Sequence, residues 1–246
     1  MRKLLIVAMA VIMAFSFVAC GGGGGGTDTG TGGGGTEKAK TPADSYSKYV
    51  EVKGAAFERL TDKIGQHDEL AMTAGMAILP ITMIDLALLP LTIVGMEGGE
   101  ATLEMLGMKN IDVKQDGDVY TITYTDPEGK TLTQTCEFDA KTDSMRSVIS
   151  DGDKESLTFE YVNTGKGYAS QYVVLSEESG NYSLMKSFFN DTGFVGFGTK
   201  EDVKGEPDSI FKNTKLTSDF VENEETFMTL DGDVMTVFMD GETQTF

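Results

Sequence analysis

Tyr120-Thr121-Ile122-Thr123-Tyr124-Thr125, then Asp126-Pro127-Glu128-Gly129, then Leu132-Thr133-Gln134-Thr135-Cys136-Glu137-Phe138: this stretch decides the fold. Apolar side chains recur every second residue on both sides of a turn sequence, which is the period of a half-buried β-strand and not of a helix. The same alternation returns through Met145–Ile149, Leu157–Tyr161, Tyr168–Leu175, Tyr182–Phe189 and Phe194–Thr199, each run separated from the next by Gly, Asn or Asp. Thr226–Leu230 and Val234–Met239 form a last hairpin across Asp231-Gly232. Short strands at near-regular spacing, joined by turn chemistry, predict an antiparallel meander over residues 110–246. Residues 200–224 are acidic without a clear period and read as mostly loop.

Asp-Gly-Asp occurs at 116–118, 151–153 and 231–233, each time leading into a strand. A calcium loop needs further oxygen ligands at set spacing, and none is complete here, so the triplets read as hairpin turns. Cys136 shares a face with Leu132 and Phe138 and reads as a small buried apolar residue, with no histidine close by to activate it.

Upstream the period changes. Thr41 can cap a helix, Pro42 suits its first turn, and Tyr46, Tyr49, Val50, Ala56, Phe57, Leu60 and Ile64 recur at three and four up to Gly65. Leu70–Met96 is almost wholly apolar, with Pro80 and Pro90 and one charge, Asp85. Three readings stay open for it: filled core broken at the prolines, a pocket for a lipid-like ligand, or a membrane span. Asp85 is expected to face solvent or cap a helix. A short helix over about Glu100–Leu106 stops at Gly107.

An apolar sheet face preceded by over-apolar helices suggests one solution. The fold class expected is α+β, with N-terminal helices packed under a curved, half-barrel-like antiparallel β-meander. The expected organisation is a signal peptide (1–19), a lipidated cysteine and Gly/Thr tether (20–40), and one domain over 41–246, helical in 41–107 and β in 110–246. This arrangement is similar to the half-barrel lipoprotein carriers of bacterial envelopes, a likeness of architecture with no matched motif.

The beginning of the chain carries a more specific signal. Met1-Arg2-Lys3 is basic, Leu4–Phe15 is unbroken apolar, and Phe17-Val18-Ala19-Cys20 follows. These are the parts of a secretory signal peptide. The last four residues resemble the lipobox of bacterial lipoproteins, with Phe17 where that family usually has leucine or another aliphatic. The resemblance implies a diacylglyceryl group on the Cys20 thiol, cleavage before it, and a protein held by membrane lipid on the outer face of the cell membrane or in the cell envelope. The alternative is a plain signal peptide or N-terminal anchor with an incidental cysteine. Gly21–Thr36 would span about 20–24 Å as a flexible coil.

Removing residues 1–19 takes two basic residues and no acid, leaving 39 acidic against 18 basic, a net charge of −21. Such a surface repels phosphate backbones, so nucleic acid is not an expected partner. With Cys20 lipidated, Cys136 has no intrachain partner and packing must stabilise the domain. The single His67 reads as a capping or surface residue and rules out a His-based metal cluster. Neither G-x-S-x-G nor H-E-x-x-H is present, and Ser45/Lys48 and Ser183/Lys186 match S-x-x-K without its companion motifs. No catalytic residue, metal or cofactor is assigned, although the many carboxylates leave glycoside hydrolysis open. The expectation is a monomeric, non-catalytic envelope protein acting through an envelope partner. A carrier of an apolar ligand is the alternative, and an enzyme a minor one.

Overall fold

Thr41 begins the first helix as the sequence predicts. Its backbone is extended (φ −127°, ψ 157°), its hydroxyl accepts from the Asp44 N–H at 3.1 Å, and Pro42 occupies the first turn. The computed structural model describes residues 41–67, 84–94, 98–152, 154–176 and 178–246. Helix α1 spans Pro42–Ile64. Its buried stripe runs Tyr46, Tyr49, Lys53, Ala56, Leu60, Ile64, steps of three and four. Two members differ from the expected stripe: Val50 is 46% exposed, and Lys53 occupies the inward position that no apolar residue fills. Gly65 ends the helix in a right-handed conformation (φ −62°), its N–H still bonded to Thr61.

Residues 84–87 form a helical turn that leads into a 3-10 helix, Leu89–Ile93, and α2 spans Glu100–Met105. Leu88, Leu91, Ile93 and Val94 are buried in the same apolar cluster as α1. Most of the apolar stretch 70–96 lies outside the described residues. Gly107 follows α2 at φ +89°, a left-handed stop that suits glycine.

The remainder is an open antiparallel sheet of 11 strands, each hydrogen-bonded to its neighbour in sequence. They are β1 (Lys109–Asp116), β2 (Val119–Thr125), β3 (Thr131–Asp139), β4 (Ser144–Asp151), β5 (Lys154–Asn163), β6 (Tyr168–Leu175), β7 (Tyr182–Phe189), β8 (Phe194–Val203), β9 (Thr226–Asp231), β10 (Val234–Met239) and β11 (Glu242–Thr245). The expected meander is present. β8 extends past Thr199, and β11 is an addition that the polar Glu242-Thr243-Gln244-Thr245 did not signal. Gly117 (φ +61°) and Gly232 (φ +57°) each take the first of two loop positions, the type II′ geometry that fits strand twist. At Asp240 (+54°) and Gly241 (+80°) both loop positions are left-handed, a type I′ turn.

One sheet face meets α1. Tyr49 stacks on Tyr161 with ring centroids 4.6 Å apart and lies 5.7 Å from Phe159, 5.7 Å from Tyr168 and 5.4 Å from Phe189. The opposite face of β5–β7 carries Val162, Ala169 and Phe188, which would be exposed on a bare sheet. Residues 204–224 cover them with Ile210 and Val221, the latter on α3 (Asp219–Glu222). Glycine lets α3 approach. A Cβ on Gly198 would lie 2.6 Å from the Val221 carbonyl oxygen, a backbone atom that moves only with the helix. Gly198→Ala is expected to cost about 1–3 kcal/mol by displacing α3. Gly54→Ala, in α1 with nothing within 4 Å, should gain about 0.5–1 kcal/mol. Thermal melts of the two variants separate crowding from backbone entropy, and equal shifts would refute the crowding argument.

Candidate functional site

The most polar part of the α1-facing interior is built on Lys53. Its stem runs among aromatic rings, with Nζ 5.3 Å from the centre of Tyr172 and 5.8 Å from Phe57. The ammonium donates to both Asp85 oxygens at 2.7 Å and to the Tyr172 hydroxyl at 2.8 Å, and that hydroxyl donates to Asp85 at 3.1 Å. Behind it, Tyr49 donates to Ser170 at 3.0 Å, and Ser170 lies 2.6 Å from Ser187. Asp85 keeps part of the solvent exposure expected of it, with its side chain 39% exposed, and is in addition the counter-ion of a buried lysine, a role the sequence reading did not include. Nothing local signals this, because Lys53 and Asp85 lie 32 residues apart, on different elements.

Burial alone would lower the Lys53 pKa, but the Asp85 carboxylate's field and hydrogen bonds outweigh it and raise the value above the ordinary 10.5. The amine stays protonated with its lone pair unavailable, so Lys53 itself is neither base nor nucleophile near neutrality. Burial likewise drives Tyr46, Tyr161 and Tyr172 well above 10, leaving neutral hydroxyls. A second buried group joins α1 to the sheet. Ser45 donates to Asp143 at 2.5 Å and lies 2.7 Å from the Tyr161 hydroxyl, while Tyr168 and Asn163 donate to the other Asp143 oxygen. These networks satisfy buried polar groups and fix the seating of α1.

Cys136 is fully buried, and burial pushes its thiol up to about 12, the inert state expected of it. His67 packs edge-on to Phe246, with centroids 5.2 Å apart. Among the described residues there is no group of three metal-ligating side chains, and no helix is long and apolar enough to cross a membrane. Cys20 and its tether lie outside the described residues.

The recessed surface lies on the opposite face. Glu160, 1% exposed, accepts from Ser209 Oγ at 2.5 Å, Ile210 N–H at 2.8 Å, Gln171 Nε2 at 2.8 Å and Arg146 Nε at 3.1 Å. Gln171 also donates to the Asp208 carbonyl at 3.0 Å. This clamp holds residues 206–210 across the strands as a strap. A groove of about 250 Å³ lies on one side of it, over Thr158, Val173, Leu175 and Tyr182 with Glu206 as wall. Another of about 300 Å³ lies on the other side, over Leu184, Ile210, Leu216 and Phe220 with Asp208 as wall. Lys186 crosses the second groove, paired with Glu224 at 2.5 Å and set 4.7 Å over Phe220. Sequence reasoning missed Glu160 because its alternation with Phe159 and Tyr161 looks solvent-facing. The sign available was Val162 and Phe188 beside it, apolar residues on what should be a wet face.

Comparison with protein-family models, with curated proteins and with solved structures finds no match to this chain.

Proposed function

We propose that the chain is a lipoprotein of the bacterial envelope, exported and anchored to membrane lipid through Cys20, whose folded part is a monomeric, non-catalytic interaction module. We further propose that the sheet curls round α1 in half-barrel fashion. Ring contacts from α1 to β5, β6 and β7 favour that shape. The observation that carries the functional reading is the filled space between α1 and the sheet. Tyr46, Tyr49, Phe159, Tyr161, Tyr172 and Phe189 are each at most 4% exposed, and their rings stack where a carried acyl chain would have to lie. Interiors packed to this degree keep few voids. Recesses open instead on the other face, on either side of the strap. An anchored module of this kind works by presenting that surface.

The anchor is tested by replacing Cys20. Wild-type protein should sediment with membranes and incorporate labelled fatty acid. Cys20→Ala should lose the label and either leave the membrane fraction or accumulate as uncleaved precursor. Label retained on Cys20→Ala would overturn the proposal. The filled interior is tested by native mass spectrometry of the full chain released from detergent, where lipid beyond the covalent anchor would instead favour a carrier.

A further inference from the structure

The two grooves flanking the strap are neighbours. Val173, in the floor of the first, is the direct cross-strand partner of Leu184, in the floor of the second. Each volume is at or below the low end for small-molecule cavities, and suits one or two side chains better than a cofactor. Along β6, Leu175 lines the first groove and Gln171, buried and tied to Glu160 and the Asp208 carbonyl, lines the second, four residues or about 13 Å away. An extended peptide covers that distance in four residues and directs alternate side chains the same way. Glu206 and Asp208 of the strap, and Glu155 at the rim, are exposed carboxylates around this path, with Arg146 3.7 Å from Glu206 and Lys154 also lining the first groove. They add to the long-range field of a strongly acidic chain.

We infer that this face docks an extended, basic polypeptide segment carrying two aliphatic side chains four positions apart, one per groove, with a lysine or arginine between them against the strap acids. The strap's attachment to Glu160 makes both walls preformed, which removes the cost of ordering them on binding. Charge complementarity selects the peptide's sign, and the paired apolar floors select its spacing. This deepens the interaction-module reading and rests on it.

The probe is a fluorescein-labelled peptide, Lys-Leu-Ser-Lys-Ser-Leu-Lys, titrated by anisotropy against the full chain in detergent. Comparison peptides have serine for both leucines, or glutamate for all lysines. The first should bind and the glutamate peptide should not; the serine peptide should bind at least about tenfold more weakly. The double variant Glu155→Lys/Asp208→Lys should weaken the leucine peptide by about tenfold or more. Glu58→Lys/Asp62→Lys, the same charge change on the exposed side of α1, should shift it by less than about twofold. Equal losses in the two double variants would reduce the effect to bulk charge and overturn the inference. So would serine and leucine peptides that bind alike, or no binding up to about 1 mM. Because the titration is run on wild-type and Cys20→Ala chains alike, failure of the anchor and failure of the docking face are read separately.

Discussion

Asp85→Ala is expected to destabilise the fold by about 2–4 kcal/mol, far more than an ordinary surface change. Removing the carboxylate leaves the Lys53 ammonium among Tyr49, Phe57 and Tyr172 with, among the described residues, one hydroxyl as its remaining hydrogen-bond partner. Loss of one member of a fully buried pair costs more, but the Asp85 side chain is 39% exposed, so water softens the effect. Lys53→Met combined with Asp85→Ala should recover most of the loss, because the uncompensated charge goes as well. Chemical denaturation of the two single variants and the double variant gives the coupling directly. An Asp85→Ala loss within about 0.5 kcal/mol of zero would return Asp85 to the solvent-facing role its sequence suggests.

A steep alkaline limit is the second large effect. Tyr46, Tyr161 and Tyr172 are held neutral well above 10 by burial, Tyr49 and Tyr168 are raised by it too, and Tyr124 is pushed up to about 12. In the unfolded chain each phenol ionises near 10. Above that pH the folded state holds protons that the unfolded state releases, so stability must fall as pH rises. The contribution is complete below about pH 10 and shrinks by about 1.4 kcal/mol per pH unit for each phenol still protonated. Lys53, with its raised pKa, has the same sign above 10.5. Three such phenols remove about 4 kcal/mol per pH unit against a typical total of about 5–15 kcal/mol. Tyrosinate absorbance should therefore jump together with loss of the β-sheet circular dichroism signal. A gradual rise centred near pH 10 with the sheet intact would contradict the buried network.

The strands, their hairpin turns and α1 with its Thr41 cap were legible because each rests on local chemistry. Period two, Gly at a left-handed turn position and a hydroxyl at a helix start are all written within a few residues. What stayed hidden depends on distance. Lys53 looks like a polar residue on a helix, and only Asp85 and Tyr172, 32 and 119 residues away, make it an interior one. The strap has no period because it forms no ladder. Its order comes from groups distant in sequence, chiefly the Glu160 carboxylate about 50 residues earlier, with Gln171 on the Asp208 carbonyl and Ile210 packed against Val162 and Phe188. Both grooves follow from that attachment, so the recessed face could not be read from 200–224 alone. β11 was missed for the opposite reason. Its side chains are all exposed, and pairing with β10 plus an Asp240-Gly241 turn suffices to order it.

Strict pairing of every strand with its sequence neighbour has a consequence for how the chain reaches this structure. Each of the ten pairings closes a loop of a few residues, except β8–β9, which must wait for 204–225 to be laid down. Loop-closure entropy is therefore small at nearly every step, and the sheet can grow strand by strand from its N-terminal edge as the chain lengthens. Helix α1 is on a different schedule. It is made first, yet Ser45 finds Tyr161 116 residues later and Tyr49 finds Ser170 121 residues later. Until β5 and β6 exist, the Tyr46–Tyr49 stripe stays uncovered and Lys53 stays in water. Docking of α1 therefore waits on a sheet extended at least through β6, and the interval before it leaves the apolar stripe of α1 open to misassembly.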